Sequence, residues 1–167
     1  SDGKNVGTVQ YKLAVPTSGT RSIEQTVEVA SPQLWSPDSP NLYAVDVEIV
    51  AAGKELDSVS TRFGIRKTEV DAKNGFRLNG QPLLLKGGCI HHDNGPLGAA
   101  AIDRAEERKV ELLKANGYNA IRTSHNPPSP ALLDACDRLG MLVMVEAFDQ
   151  WNERKYDHDH DYHRFFK

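Results

Sequence analysis

Hydrophobic positions recur at every second residue through the first part of the chain. Residues 6–15 set Val6, Thr8 and Gln10 against Val9, Tyr11 and Leu13. Residues 23–30 carry Ile23, Val27 and Val29 with polar residues between them. Residues 42–50 alternate cleanly, with Tyr43, Val45, Val47 and Ile49 on one side and Asp46 and Glu48 on the other. Residues 54–65 repeat the pattern beyond the turn Ala51-Ala52-Gly53. Period-two alternation predicts strands with one buried face. Short strands punctuated by Gly, Pro and Ser predict a β-sandwich. Between the second and third strands, LWSPDSPNLY (residues 34–43) reads as a turn-rich crossover. Trp35 within it is expected to anchor the sandwich core. Four strands are fewer than the roughly seven of a complete immunoglobulin-type sandwich, so the domain is read as partial.

The period changes after Arg66. Phe76 to Leu83 carries Asn79-Gly80 between apolar positions, a strong hairpin signal. From there strands alternate with helices. Residues 83–90 predict a nearly continuous apolar strand. Residues 103–116 predict a helix that Asp103 caps, with Glu106 completing a capping box, Val110 and Leu113 on its inner face, and Gly117 as its stop. Residues 119–123 form the next strand. Ser129 caps a second helix with Pro130 in its first turn and Leu132, Cys136 and Leu139 as its stripe. Gly140 ends that helix, and residues 141–145 form a third strand of the kind buried on both faces in parallel sheets.

This βαβαβ order places three polar groups at strand ends. His91, His92 and Asp93 follow the first strand; Arg122, His125 and Asn126 follow the second; Glu146, Asp149 and Trp151 follow the third. All lie at carboxyl ends, the face on which barrel and open α/β enzymes build their sites.

Composition narrows the classes. Hydrophobic residues at 39% and charged residues at 26% fit a globular chain. A formal net charge of -3 without a basic run argues against a nucleic-acid face. No apolar run reaches the roughly 18 residues that span a bilayer, and the first residues show no apolar signal core. Cys89 and Cys136 read as free thiols, because two cysteines make no disulfide scaffold.

The motifs LWSPDSPNLY, RFGIR, GFRLNGQPLLLKGG, HHD, NAIRTSHNPP, ACDRLGM and EAFDQW, in that order, give the chain a specific resemblance to glycoside hydrolase family 2, in its β-galactosidase-like variety. The resemblance implies a multidomain β plus α/β chain: a partial immunoglobulin-like β-sandwich over residues 1–70, then the first three strands of a (β/α)8 barrel over residues 71–167. It implies a retaining exo-β-glycosidase acting on terminal β-D-galactosides. Its two catalytic glutamates, after barrel strands four and seven, are expected beyond this chain, so no catalytic residue is assigned and the chain alone is expected to be inactive. By the same resemblance His91 and His125 face the sugar hydroxyls, with Asp93, Asn126 and Trp151 lining the pocket. Arg122 and Glu146 are supporting residues; Arg122 either buttresses the catalytic glutamates or forms a structural ion pair. Loop-cap and packing roles stay open for Asp93 and Trp151. Asn152-Glu153 repeats the family's Asn-Glu pair but follows the third strand, so it is read as a decoy.

No cofactor or metal is expected. The partner is a carbohydrate, with no nucleic acid and no membrane, and homo-oligomer formation is an expectation for the parent protein. Periplasmic or secreted placement is favoured over cytoplasmic. Three alternatives stay open. One is a non-catalytic carbohydrate-binding or structural module, and another is a related β-glucuronidase or β-mannosidase. The third is a metal-dependent hydrolase built on His91, His92, Asp93 and the tail residues His158, His160 and His163.

Overall fold

A computed structural model describes residues 3–147. The chain divides into two compact units, Ser1–Gln33 and Leu34–Lys167. In the first, the Asn5 side chain accepts from the Gly7 amide at 2.9 Å and donates to Thr8 Oγ1 at 3.0 Å. Gly7 backs directly onto Val27. The strands expected over residues 6–15 and 23–30 are not formed among the described residues. The physical reason is that their apolar side chains, Val6, Val9, Tyr11, Leu13, Ile23 and Val27, all stay exposed. Alternation drives strand pairing only where one face is buried.

The second unit opens with an antiparallel hairpin, β1 (Tyr43–Ala51) and β2 (Lys54–Phe63), turning through Ala52 and Gly53 with positive φ of 51° and 76°. Val45, Val47, Ile49 and Val59 are exposed, so the buried face expected for this pair is not found among the described residues. A meander follows: β3 (Thr68–Asp71), β4 (Gly75–Leu78) and β5 (Gln81–Pro82). Asn79 and Gly80, with φ of 54° and 78°, connect β4 to β5. Positive φ at both central residues is the type I′ geometry that matches strand twist.

The α/β part follows the predicted order: β6 (Gly87–Ile90), α1 (Asp103–Ala115), β7 (Ala120–Thr123), α2 (Pro130–Leu139) and β8 (Leu142–Val145). The strands pair in parallel, β6 with β7 and β7 with β8. This is a partial immunoglobulin-like region followed by an incomplete barrel. On the helix side of the sheet, Val110, Ile121, Leu132, Ala135, Cys136 and Met141 form one buried cluster. Ser129 caps α2 by accepting from the Leu132 amide at 3.2 Å. Gly140 ends the helix with φ 77°, and any side chain there would collide with the Pro37 carbonyl.

Four local expectations are corrected. Trp35, 1% exposed, packs with Leu78, Ala120 and Leu142 rather than inside a sandwich. Its indole Nε1 donates to the Asp137 carbonyl at 2.8 Å, and the Arg66 guanidinium lies 4.7 Å from its ring centre. The residue therefore ties the crossover to α2 and to the amino-terminal ends of the barrel strands. Asp103 does not cap α1: Ile102 holds the N-cap position, with no side-chain bond. Glu106, expected to complete that cap, is turned inward and buried. The first barrel strand begins only at Gly87. Before it, the Asn119 side chain accepts from the Lys86 amide at 2.7 Å and donates to the Leu84 carbonyl at 2.9 Å, beside a backbone bond from the Asn119 amide to the Lys86 carbonyl at 2.9 Å.

Candidate active site

The parallel register sets Cys89, Arg122 and Met144 in one row across the sheet. They share a face with Ala120 and Leu142, because side chains two apart on a strand point the same way. Lower on that face, Trp35, Leu78, Leu83 and Phe76 cover the sheet. Higher up, at the carboxyl ends, the polar residues gather.

Glu146, one residue past β8, is the centre of this group. One carboxylate oxygen forms an ion pair with Arg122. The other meets His125 Nδ1 at 2.6 Å. The backbone of Glu146 is fixed as well, since its amide donates to Thr123 Oγ1 at 3.2 Å. Thr123 is buried at the end of β7, so the neighbouring strand sets where Glu146 begins. Desolvation raises the Glu146 pKa, but the His125 hydrogen bond and the Arg122 charge outweigh it and leave the group below the ordinary 4.5. At neutral pH the carboxylate has no proton to give. Nδ1 of His125 must therefore donate, and in the neutral form of such a ring the other nitrogen, Nε2, is the acceptor.

The His91 and His125 rings stand edge to face, 5.8 Å between centres. Both are exposed. The peptide bond between Ser124 and His125 is cis. Asn126 is exposed directly beside His125. Asp93 is also exposed, but its Oδ1 accepts from the Gly95 amide at 2.8 Å, so the loop-cap role is the one its geometry displays. Trp151, Asp149, the Asn152-Glu153 pair and the tail histidines lie outside the described residues.

Arg122 shows the structural ion pair, with Glu146 as its partner. Sequence reasoning missed a further contact, to Cys89: the guanidinium approaches its Sγ at 3.5 Å. The Cys89 thiol is exposed and held below its ordinary pKa, first by the nearby Ser124 hydroxyl and then by Arg122. Ser124 Oγ is buried without a hydrogen bond of standard geometry, so its effect on Cys89 is one of proximity. No local signal in the sequence joins the two; the parallel register of β6 and β7 pairs Cys89 with Arg122. Among the described residues no three His, Cys, Asp or Glu side chains converge as metal ligands. His91, His92 and Asp93 adjoin in sequence without forming such a group. A cavity of about 10 Å³ beneath the strand ends, lined by His91, His92, Glu106 and Ser124 among others, has room for a water but not a sugar.

The fold and this rim now stand beside known proteins. Residues 1–66 match Glycosyl hydrolases family 2, and residues 69–153 match Glycosyl hydrolases family 2, TIM barrel domain. The chain belongs to glycosyl hydrolase family 2. It is 48% identical over 142 residues to a beta-galactosidase of Bacteroides ovatus, covering 85% of this chain and 16% of that protein. It is 32% identical over 148 residues to a beta-glucuronidase of Bacteroides fragilis, covering 87% of this chain and 21% of that protein. A solved family 2 member from Bacteroides cellulosilyticus superposes with a TM-score of 0.75 at 58% identity, over 84% of this chain and 18% of its own. The family 2 chain described here thus spans about a sixth to a fifth of the length of these relatives. No helix among its described residues is long and apolar enough to cross a membrane.

Proposed function

We propose that this chain supplies the early rim of the sugar pocket in a retaining exo-β-glycosidase, with terminal β-D-galactosides as substrate. The observation that carries the reading is the chain of contacts Arg122–Glu146–His125 at the carboxyl ends of parallel strands, with His91 against it. The ionised Glu146 fixes one tautomer of His125, and the exposed Nε2 is then available to a sugar hydroxyl. Such bonds strengthen as an oxocarbenium-like transition state develops. Retention needs two carboxyl groups about 5–5.5 Å apart, one as nucleophile and one as acid/base. In this proposal both come from outside the described residues, and Glu146, tied by Arg122 and His125, is neither.

A neutral sugar is favoured over a uronic acid by charge. A uronic carboxylate asks for a guanidinium or ammonium group in the pocket. Arg122, the guanidinium at these strand exits among the described residues, already has a carboxylate partner in Glu146. The beta-galactosidase of Bacteroides ovatus points the same way. The test is to express the full-length gene product and follow hydrolysis of p-nitrophenyl β-D-galactoside and β-D-glucuronide, reading the product anomer by proton NMR. Faster turnover of the galactoside with release of the β-anomer is expected. Inversion would defeat the retaining mechanism, and a preference for the glucuronide would defeat the charge argument.

A further inference from the structure

One carboxylate of the α/β part takes no share in the rim. Glu106, in the first turn of α1, is 2% exposed. A buried carboxylate is costly unless its oxygens are matched by donors, and here three segments supply them. Asn94 Nδ2 donates to Oε1 at 2.7 Å. Lys109 Nζ reaches the same oxygen at 3.3 Å. Ser129 Oγ donates to Oε2 at 3.4 Å while capping α2.

The placement of these donors gives the carboxylate its meaning. Asn94 belongs to the loop that leaves β6 through His91. That loop is closed by its own bonds: Asn94 N–H donates to the Gly98 carbonyl at 2.9 Å, and its side chain also donates to the Ala100 carbonyl at 3.1 Å. Ser129 closes the loop that leaves β7 through His125. Glu106 therefore clamps both rim loops to α1 from below, and its side chain lines the small cavity beneath His91 and Ser124.

We infer that Glu106 is a positioning residue for the glycosidase site, holding the His91 and His125 loops at a fixed separation through Asn94 and Ser129. The inference depends on the function proposed above. It predicts an effect on turnover rather than on folding alone, since small misplacements of contact groups in an enzyme site are costly in rate.

The experiment compares Glu106→Gln, Glu106→Met and Asn94→Ala in the full-length protein, with kcat and KM on p-nitrophenyl β-D-galactoside and thermal midpoints for each. Glutamine can still accept from Asn94 and can donate to Ser129, so Glu106→Gln should keep kcat within about threefold of wild type. Glu106→Met fills the volume without the bonds. It should lower kcat about tenfold or more with KM little changed, the pattern of a contact made mainly in the transition state. Asn94→Ala cuts one arm on a partly exposed loop and should lower kcat in the same sense, which keeps the test alive if Glu106→Met does not fold. Native kcat in a folded Glu106→Met or in Asn94→Ala would overturn the inference, as would a Glu106→Gln no better than Glu106→Met. Failure of the underlying reading looks different: the wild-type protein itself would turn over no β-glycoside.

Discussion

Replacing Trp35 tests how the crossover loop is bound to the barrel strands. Trp35→Phe keeps a ring in the pocket bounded by Leu78, Ala120 and Leu142. It removes the indole donor and leaves the Asp137 carbonyl without its 2.8 Å partner. An acceptor left unsatisfied in a part-buried site costs about 1–3 kcal/mol. The Arg66 guanidinium also loses roughly 0.5 kcal/mol of cation–π attraction on passing from indole to phenyl. The Asn79 side chain bonds to the Trp35 backbone carbonyl and is untouched by either change. The sum is about 2 kcal/mol, and at roughly 2–4 °C per kcal/mol for a unit of this size the midpoint should fall by about 4–8 °C. Trp35→Ala should cost about 3–5 kcal/mol through the cavity it opens. Calorimetry on wild type and both variants reads these values directly. A Trp35→Phe midpoint within about 1 °C of wild type would refute the claim that the indole bond ties the two parts together.

Other outcomes follow from the rim. Glu146→Gln places an amide N–H₂ against either Arg122 or His125 Nδ1; in the second case it reverses the His125 tautomer, so kcat/KM on a β-galactoside should fall about ten- to a hundredfold. The depressed pKa of Glu146 makes its stabilisation fully present above the ordinary carboxylate value of 4.5 and progressively lost as pH falls through the lower folded value. Urea midpoints of wild type and Glu146→Gln should therefore differ at pH 7 and converge in strong acid, and a gap independent of pH would contradict this. Iodoacetamide should label Cys89 well before Cys136, because the Cys89 pKa is lowered whereas burial, with Asp137 and Glu106 nearby, pushes Cys136 up to about 12. Mass spectrometry of the labelled peptides reads the order. The 167-residue chain expressed alone should self-associate in light scattering, since among the described residues β6 and β8 are sheet edges and Met144 and Val145 are exposed; a monomer would count against open edges.

The α/β half was legible in the sequence because its signals are local. Ser129, Pro130 and Gly140 mark the ends of α2 by backbone chemistry that holds in any context, and Asn79-Gly80 does the same for the hairpin. Period two was a weaker guide in residues 6–30, where alternation describes a face to be buried but not what buries it. Trp35 was misplaced for a related reason: its partners, Asp137 and Leu142, lie about a hundred residues away, and nothing near it in sequence announces them. Glu106 was read as a helix cap because a capping box is defined by spacing alone. The site itself was half visible. Strand ends located His91, His125, Arg122 and Glu146, but only the register of the sheet joined Arg122 to Cys89, and only three dimensions joined Glu106 to Asn94 and Ser129.

The central claim is that His125, oriented by Glu146, contacts the sugar in a β-galactoside pocket. It is tested most directly by kcat/KM for p-nitrophenyl β-D-galactoside in the full-length protein and its His125→Ala variant, each shown to be folded by its thermal midpoint. The account predicts measurable turnover by wild type and a loss of about a hundredfold in the variant with the midpoint preserved. Equal kcat/KM in the two proteins would contradict it.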